Sequence, residues 1–248
     1  MRAALRPPRR RPNWGPEPPG IGSREVSLKT LAVIALKGGS GKTTVATHLA
    51  LAAHLRGRQT LVVDTDPQNS ARDILETREG GGPQVVSAAA RNVLAAQFGA
   101  LSQGKDLLII DTAAGAVESV GEAVVLADFA LLVARPTLID LSGLARTLSL
   151  VRKIGKPSVV VMNQAPVARG NVEAPLVKRA MKGLDYMRAE VAPSILRSRS
   201  IYQTALERGR SAEESPDRAA AGEIAALWDF VDARLRALPA PSRDGLSA

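Results

Sequence analysis

The run Lys37-Gly38-Gly39-Ser40-Gly41-Lys42-Thr43-Thr44 decides the reading of this chain. An apolar, β-branched stretch, Leu31–Leu36, precedes it, and an alanine-rich helical stretch, Lys42–Arg56, follows. A strand, a glycine turn and a helix in that order make a cradle for phosphate. Glycines let the backbone bend until successive N–H groups converge on one point. The helix start adds its partial positive charge there. Lys42 can reach the β- and γ-phosphates of a nucleotide in such a loop, and the Thr43 hydroxyl can ligate Mg2+. The general phosphate-loop spacing is not met, because Leu36 stands where its first glycine would be. The run follows a variant that starts with an additional lysine, Lys-Gly-Gly-x-x-Lys-Thr. A glycine-rich turn without a ligand is the competing reading.

Outward from this loop, short apolar runs alternate with helical stretches. The runs are Leu31–Leu36, Thr60–Val63, Leu107–Ile110, Phe129–Ala134 and Ser158–Met162. Each is almost continuously hydrophobic, as strands buried on both faces are. The helical stretches between them are Lys42–Arg56, Ala88–Leu101, Val117–Ala127 and Leu141–Ile154. This alternation predicts an α/β fold, a doubly wound, mostly parallel sheet with helices on both faces. Functional residues are then expected at the carboxyl ends of the strands. Asp64 and Asp111 each end such a run, and Asp66 follows two residues after the first. All three should project near the phosphate loop. Mg2+ keeps several of its waters and is commonly held through them, which suits Asp111 as their anchor. Further on, Val177–Leu184 and Ile201–Arg208 read as short helices. Arg218–Leu238 reads as a longer one, with a core stripe of Ile224, Leu227, Trp228, Val231, Leu235 and Leu238.

Composition removes several classes of function. The 248 residues include no cysteine, which excludes disulfides, thiol nucleophiles and cysteine-ligated metal centres. His48 and His54 are the only imidazoles, so a multi-histidine metal site falls away too. No apolar run approaches the roughly 20 residues of a spanning helix, and no secretory signal is evident. Of the net charge of +9, residues 1–30 carry +5, in seven basic residues against two acidic ones. The first twenty residues hold six prolines and no Val, Ile or Phe. They read as part of a disordered basic arm over 1–28, ahead of a globular unit at 29–238 and a polar tail at 239–248.

The loop Lys37–Thr44 resembles the deviant Walker A motif of the ParA/MinD family of ATPases. Val62-Val63-Asp64-Thr65-Asp66-Pro67-Gln68 is similar to the family's Asp-x-Asp-Pro-Gln box, and Ile109-Ile110-Asp111-Thr112-Ala113-Ala114 to its Walker B strand end. Arg135-Pro136-Thr137, Asp140 and Val161-Met162-Asn163 fit as well. Small chromosome- or plasmid-partition ATPases are the most similar type. The resemblance implies binding of ATP with Mg2+ by Lys37, Gly38, Gly39, Ser40, Gly41, Lys42, Thr43 and Thr44. Thr43, Asp64 and Asp111 would serve the metal, and Asp66 would position the attacking water. Lys37 would reach across a two-fold interface to the partner's nucleotide, making an ATP-dependent homodimer. Asn163 would read the adenine edge, with Pro193 and Ser194 near the base. A structural strand-end asparagine is the other reading.

Arg197, Arg199, Arg208 and Arg210 cluster in Ile195–Ser211, preceded by Lys178, Arg179, Lys182 and Arg188. Ile195-Leu196-Arg197-Ser198-Arg199 resembles the Arg-x-Arg segment of small partition ATPases, which bind double-stranded DNA without sequence preference. A solvated basic face is the alternative. The last helix mixes Glu223, Asp229 and Asp232 with its arginines, so no membrane anchor is expected. Only thirty residues precede the first expected strand, too few for a helix-turn-helix domain, so site recognition would fall to a partner. The implied function is partition of a plasmid or chromosome by a slow ATPase in the cytoplasm, on the nucleoid. Its partner would be a centromere-binding, ParB-like or other small DNA-binding adaptor. Positioning of a protein cargo and a nucleotide-gated regulator with negligible hydrolysis are the alternatives.

Overall fold

Continuous apolar runs form strands only when both of their faces are covered, and here they build the middle of one parallel sheet. The computed structural model describes residues 27–239 apart from 116 and 171. The arm expected over 1–28 and the tail over 239–248 therefore lie, except for Ser27, Leu28 and Pro239, outside the described residues. The strands are β1 (Lys29–Ile34), β2 (Thr60–Asp64), β3 (Gln84–Ser87), β4 (Leu107–Asp111), β5 (Phe129–Ala134), β6 (Ser158–Ala165) and β7 (Val191–Arg197). They lie in the order β3-β2-β4-β1-β5-β6-β7, every pairing parallel. The helices are α1 (Lys42–Leu55), α2 (Ser70–Glu76), α3 (Val93–Ser102), α4 (Val117–Leu126), α5 (Leu138–Ile154), α6 (Pro175–Tyr186), α7 (Ile201–Leu206) and α8 (Arg218–Ala237). The doubly wound α/β fold is as the sequence predicts.

Right-handed crossovers decide which face each helix takes. The chain moves one way along the sheet from β1 to β2 to β3, then reverses and runs through β4, β5, β6 and β7. Helices α1 and α2 therefore share one face with α7 and α8, around a core that includes Leu49, Trp228 and Val231. Helices α3 to α6 cover the other, around Ile110, Leu132 and Val177. The reversal places β1 and β4 side by side in the centre, in register from Lys29 with Leu107 to Val33 with Asp111.

Two strands and one helix escape the sequence reading. Strands β3 and β7 are the sheet edges: β3 is mostly exposed and β7 alternates. Pro193 is tolerated in β7 because an edge strand needs only half of its hydrogen bonds. Helix α2 has seven residues and only two buried ones. Helix α5 begins three residues before the expected start, because the Thr137 hydroxyl caps it by accepting from the Asp140 N–H at 3.2 Å. The α8 stripe is buried from Ile224 to Leu235. His48 is also buried: Nε2 donates to the Tyr202 carbonyl at 3.0 Å while Nδ1 accepts from the Ala212 N–H at 3.3 Å. Burial pushes it down to about 4, so it is a neutral strut between α1 and α7.

Lys29 opens β1 and also closes the last helix. Its ammonium is buried and donates to the carbonyls of Leu238 at 3.0 Å and Pro239 at 2.8 Å. A cation there satisfies acceptors that α8 leaves open and complements its dipole. Replacing Lys29 with Met removes both hydrogen bonds, at a cost of about 2 kcal/mol. The expected results are a melting temperature lower by roughly 4–8 °C and faster amide exchange in the last turn of α8. An unchanged melting curve would refute this role.

Candidate functional site: a phosphate cradle at the sheet's central strands

The turn after β1 is bent by glycine. Gly39 and Gly41 adopt φ of 75° and 89°, a region closed to most side chains. Gly41 precedes α1 without any side-chain cap, so the first-turn N–H groups of the helix remain available to an anion. Space at Gly41 is closed as well. A Cβ there would lie 2.3 Å from the Asn163 Nδ2 and 3.3 Å from the Gln164 Nε2. The Asn163 amide donates to the Ser40 carbonyl at 2.8 Å and is almost fully buried. The strand-end asparagine thus holds the loop by its backbone, and Gln164 follows it with a φ of 51°.

The three aspartates gather around this loop in different states. Asp64 is fully committed. Its Oδ1 accepts from the Asp66 N–H at 3.0 Å, and its Oδ2 from those of Ala71 at 2.9 Å and Arg72 at 3.2 Å. It therefore starts α2 and shapes the loop that carries Asp66. Burial raises its carboxyl above the usual range, and these bonds oppose the rise. Asp66 is half-buried and, among the described residues, accepts only from the Gln68 N–H, at 3.0 Å. Asp111 is different. It is fully buried, and among the described residues no donor meets either carboxylate oxygen in hydrogen-bond geometry, although the Thr43 hydroxyl is near enough to influence it. Burial pushes it up to about 7, against the pull of the Thr43 hydroxyl and the Lys42 ammonium; the Asp64 charge adds to the rise. Burial likewise lowers Lys42, while Asp111 and Asp66 draw it back up. Asp111 is held in place by its backbone, whose carbonyl accepts from both the N–H and the hydroxyl of Thr65 at 2.9 Å.

An acid, a cation and a glycine cradle left this incomplete fit a magnesium–nucleotide complex. The Asp111 oxygens and the buried, unpartnered Ser40 hydroxyl lack partners that such a ligand would bring. No group of three or more metal-ligating side chains exists among the described residues. A divalent ion here would need oxygens from the ligand itself, as Mg2+ does in phosphate sites. Beside the loop lies a cavity of about 300 Å3, lined by Thr44, Asn163, Gln164, Arg199, Ser200 and Gln203 among others. Pro193 and Ser194 do not line it; the Ser194 hydroxyl instead donates to the Glu223 carbonyl at 2.7 Å.

Residues 31–211 match the CobQ/CobB/MinD/ParA nucleotide-binding domain. The chain belongs to that family. It is thus a nucleotide-binding protein of the ParA/MinD, deviant Walker A type. The maintenance of carboxysome distribution protein A of Halothiobacillus neapolitanus is 23% identical over 207 residues, covering 82% of this chain and 95% of that protein. Two proteins described as replication protein A, from Sinorhizobium fredii and Rhizobium rhizogenes, are 56% and 51% identical over 43 residues. Those matches span 11% of their length, so the chain covers only a short part of each. Among solved structures, apo McdA from Cyanothece superposes with a TM-score of 0.69 at 20% identity, covering 82% of this chain and 99% of that one. A plasmid partition protein from Borrelia burgdorferi bound to AMPPNP gives 0.65 at 15% identity, covering 83% and 99%. At these identities the likeness is one of fold.

Two arrangements lie beyond the sequence reading. Lys37 does not stand free: its Nζ is 3.5 Å from the Asp140 Oδ2, and the Arg135 Nε is 3.2 Å from the same oxygen. Asp140 is buried and also accepts from the Thr137 hydroxyl. The spacing Thr137-x-x-Asp140 is the readable signal, a capping pattern. The second concerns the arginines. Arg197 makes a two-pronged pair with Glu173 at 2.8–2.9 Å, and Arg199 pairs with Glu223 at 2.9–3.1 Å. Glu223 also accepts from the Arg197 N–H at 2.8 Å and the Tyr202 hydroxyl at 2.5 Å. Arg208 and Arg210 are exposed, on a cavity of about 370 Å3 that also holds Arg78, Glu79, Glu207 and Glu214.

Proposed function

We propose that residues 29–238 form an ATPase unit that binds Mg-ATP at this cradle, dimerises around it and hydrolyses it slowly. The observation that carries this reading is the buried, unpartnered Asp111 carboxylate beside Lys42 and Thr43 at the mouth of the glycine turn. In it, Gly38 to Thr44 bind the phosphates through backbone N–H groups, Lys42 neutralises the outer phosphates, and Asp111 and Thr43 face the metal. A Mg2+ ion held by Asp111 and Thr43 would supply positive charge to offset that developing on the phosphate oxygens. Asp64 keeps the 66–72 loop in place, and Asp66 orients the attacking water. The 300 Å3 cavity takes the base, with Asn163 on its wall. Lys37 leaves Asp140 to reach the second protomer's nucleotide. Leu138 and Ile139, 83% and 68% exposed on the adjoining first turn of α5, give that interface an apolar contact.

In the ATP state the dimer would bind double-stranded DNA without sequence preference, and a DNA-bound adaptor would trigger its release. Arg208 and Arg210 offer exposed charge for phosphates. Arg197 and Arg199 join only by exchanging Glu173 and Glu223 for phosphate oxygens. This cycle would serve plasmid or chromosome partition on the nucleoid. Positioning of a protein cargo is the second reading, favoured by the alignment with a carboxysome-distribution protein over 95% of its length. No helix among the described residues is long and apolar enough to cross a membrane.

The test is binding to a random-sequence duplex at low and moderate salt with ATP, ADP or no nucleotide, beside dimerisation in the same states. Salt-sensitive binding with ATP alone is expected, and Asp66→Ala should accumulate the DNA-bound dimer. Equal binding in all nucleotide states would sink the switch. Absence of ATP binding would remove the whole reading.

A further inference from the structure

We propose that a DNA duplex lies on the outward faces of α5 and α6, its phosphates meeting Arg146, Lys153, Lys178, Arg179 and Lys182. This rests on the DNA step proposed above and names the surface that carries it. All five side chains are exposed, and none forms an ion pair among the described residues. Arg91, Arg169, Arg188, Arg208, Arg210 and Arg218 are also exposed without an ion pair among the described residues, but they are spread over separate elements, and Arg208 and Arg210 share their cavity with Glu79, Glu207 and Glu214. Arg56, Arg58, Arg72, Arg78, Arg234 and Arg236 are all matched to carboxylates. So are Arg197 and Arg199. Glu173, whose carboxyl is held below its usual range chiefly by Arg197 and least by Lys178, is itself committed to Arg197. Within α5 and α6 the only carboxylates are the buried Asp140 and the exposed Asp185.

The two helices form one rigid surface. Both follow right-handed crossovers in the same direction along the sheet, so they run side by side on the same face. Gly183 of α6 comes close to Leu141 of α5; a Cβ at 183 would sit 3.4 Å from the leucine Cδ1. Arg152 of α5 donates to the carbonyls of Met187 at 2.8 Å and Arg188 at 2.7 Å, just past the end of α6. Neighbouring helix axes about 8–10 Å apart present such charges as a low ridge without a pocket. A ridge of unmatched cations suits a repeating phosphate backbone and reads no base.

An anionic membrane fits less well. An interfacial helix needs an apolar face to sink into lipid, and that of α6, Val177, Ala180 and Leu184, is already buried against the sheet. Its outward face offers only Met181 and Tyr186.

The experiment uses the full chain with ATP and a random-sequence duplex, measured over a range of salt. The variant Lys178→Gln/Arg179→Gln/Lys182→Gln should lower affinity at low salt at least tenfold. It should also flatten the plot of log affinity against log salt by about 2–3 units, with ATP affinity unchanged. Arg146→Gln/Lys153→Gln should do the same to a smaller degree. A triple variant with the wild-type slope would overturn the surface. So would loss of binding to anionic vesicles with duplex binding intact. If the wild-type chain binds no duplex with ATP, the DNA step itself fails and the surface falls with it.

Discussion

Gly41→Ala is expected to reduce the affinity for ATP and ADP by 100-fold or more, although it adds one methyl group. Two costs combine. Alanine at a φ of 89° is strained by about 1–2 kcal/mol. Its Cβ, 2.3 Å from the Asn163 Nδ2, also forces that amide away from the Ser40 carbonyl. Losing a buried hydrogen bond and leaving its partners unmatched adds about 1–3 kcal/mol. The sum distorts the N–H groups that face the phosphates, and each 1.4 kcal/mol is a factor of ten. Gly39→Ala separates the two contributions. Gly39 has a similar φ of 75° but nothing within 4 Å of the added atom, so it should lose only about tenfold. Calorimetric titration of both variants gives the comparison. Equal losses would mean that the Asn163 contact does not govern the loop.

Asp111→Asn should stabilise the nucleotide-free protein while weakening Mg-dependent nucleotide binding. Folding takes this carboxyl from its ordinary value of 3.8 to about 7, chiefly through burial. The folded state therefore holds the proton to higher pH than the unfolded chain does. Stability falls as pH rises from about 4 to about 7, and the full penalty is present above that. A shift of this size corresponds to at most about 4 kcal/mol. Asparagine carries no charge to desolvate, so the variant should melt several degrees higher than wild type at pH 8 without nucleotide. The difference should vanish near pH 4. With Mg-ATP the order should invert, since the variant has no charge to hold the metal's waters, and affinity should fall at least tenfold. Thermal melts at four or five pH values, with and without Mg-ATP, check both halves. A variant less stable than wild type at pH 8 would contradict the account.

Residue type and spacing announced the centre of this molecule, while its edges depended on contacts that spacing does not record. The central strands β1, β2, β4, β5 and β6 are buried on both faces, so their runs are unbroken in apolar residues. The cradle was legible for a related reason, since glycine, lysine and threonine at that spacing do the chemistry themselves. Strand β3 exposes most of its side chains, and β7 carries a proline, so neither could be told from loop. Helix α2 starts where the Asp64 carboxylate, seven residues back, takes up the N–H groups of Ala71 and Arg72. That is a tertiary cap. The same holds for Lys37 and Asp140, which lie 103 positions apart in sequence but within 3.5 Å in space. The pairing of Arg197 with Glu173 and of Arg199 with Glu223 was equally hidden. A run of arginines shows charge in the chain, and only the fold shows how much of it is already spent.

Helix α5 belongs to two places at once. Its first turn contains Asp140, the carboxylate that holds Lys37, and its later turns display Arg146 and Lys153 to solvent. Seventeen residues without a break make a stiff rod about 25 Å long. A rod of that kind has few ways to bend and many ways to tip. If Lys37 leaves Asp140 as proposed, α5 and the α6 packed against it would tilt as one body, and the cations at the far end would move with the first turn. The departure of a single lysine could thus be felt by a polymer that never touches the nucleotide, through leverage alone.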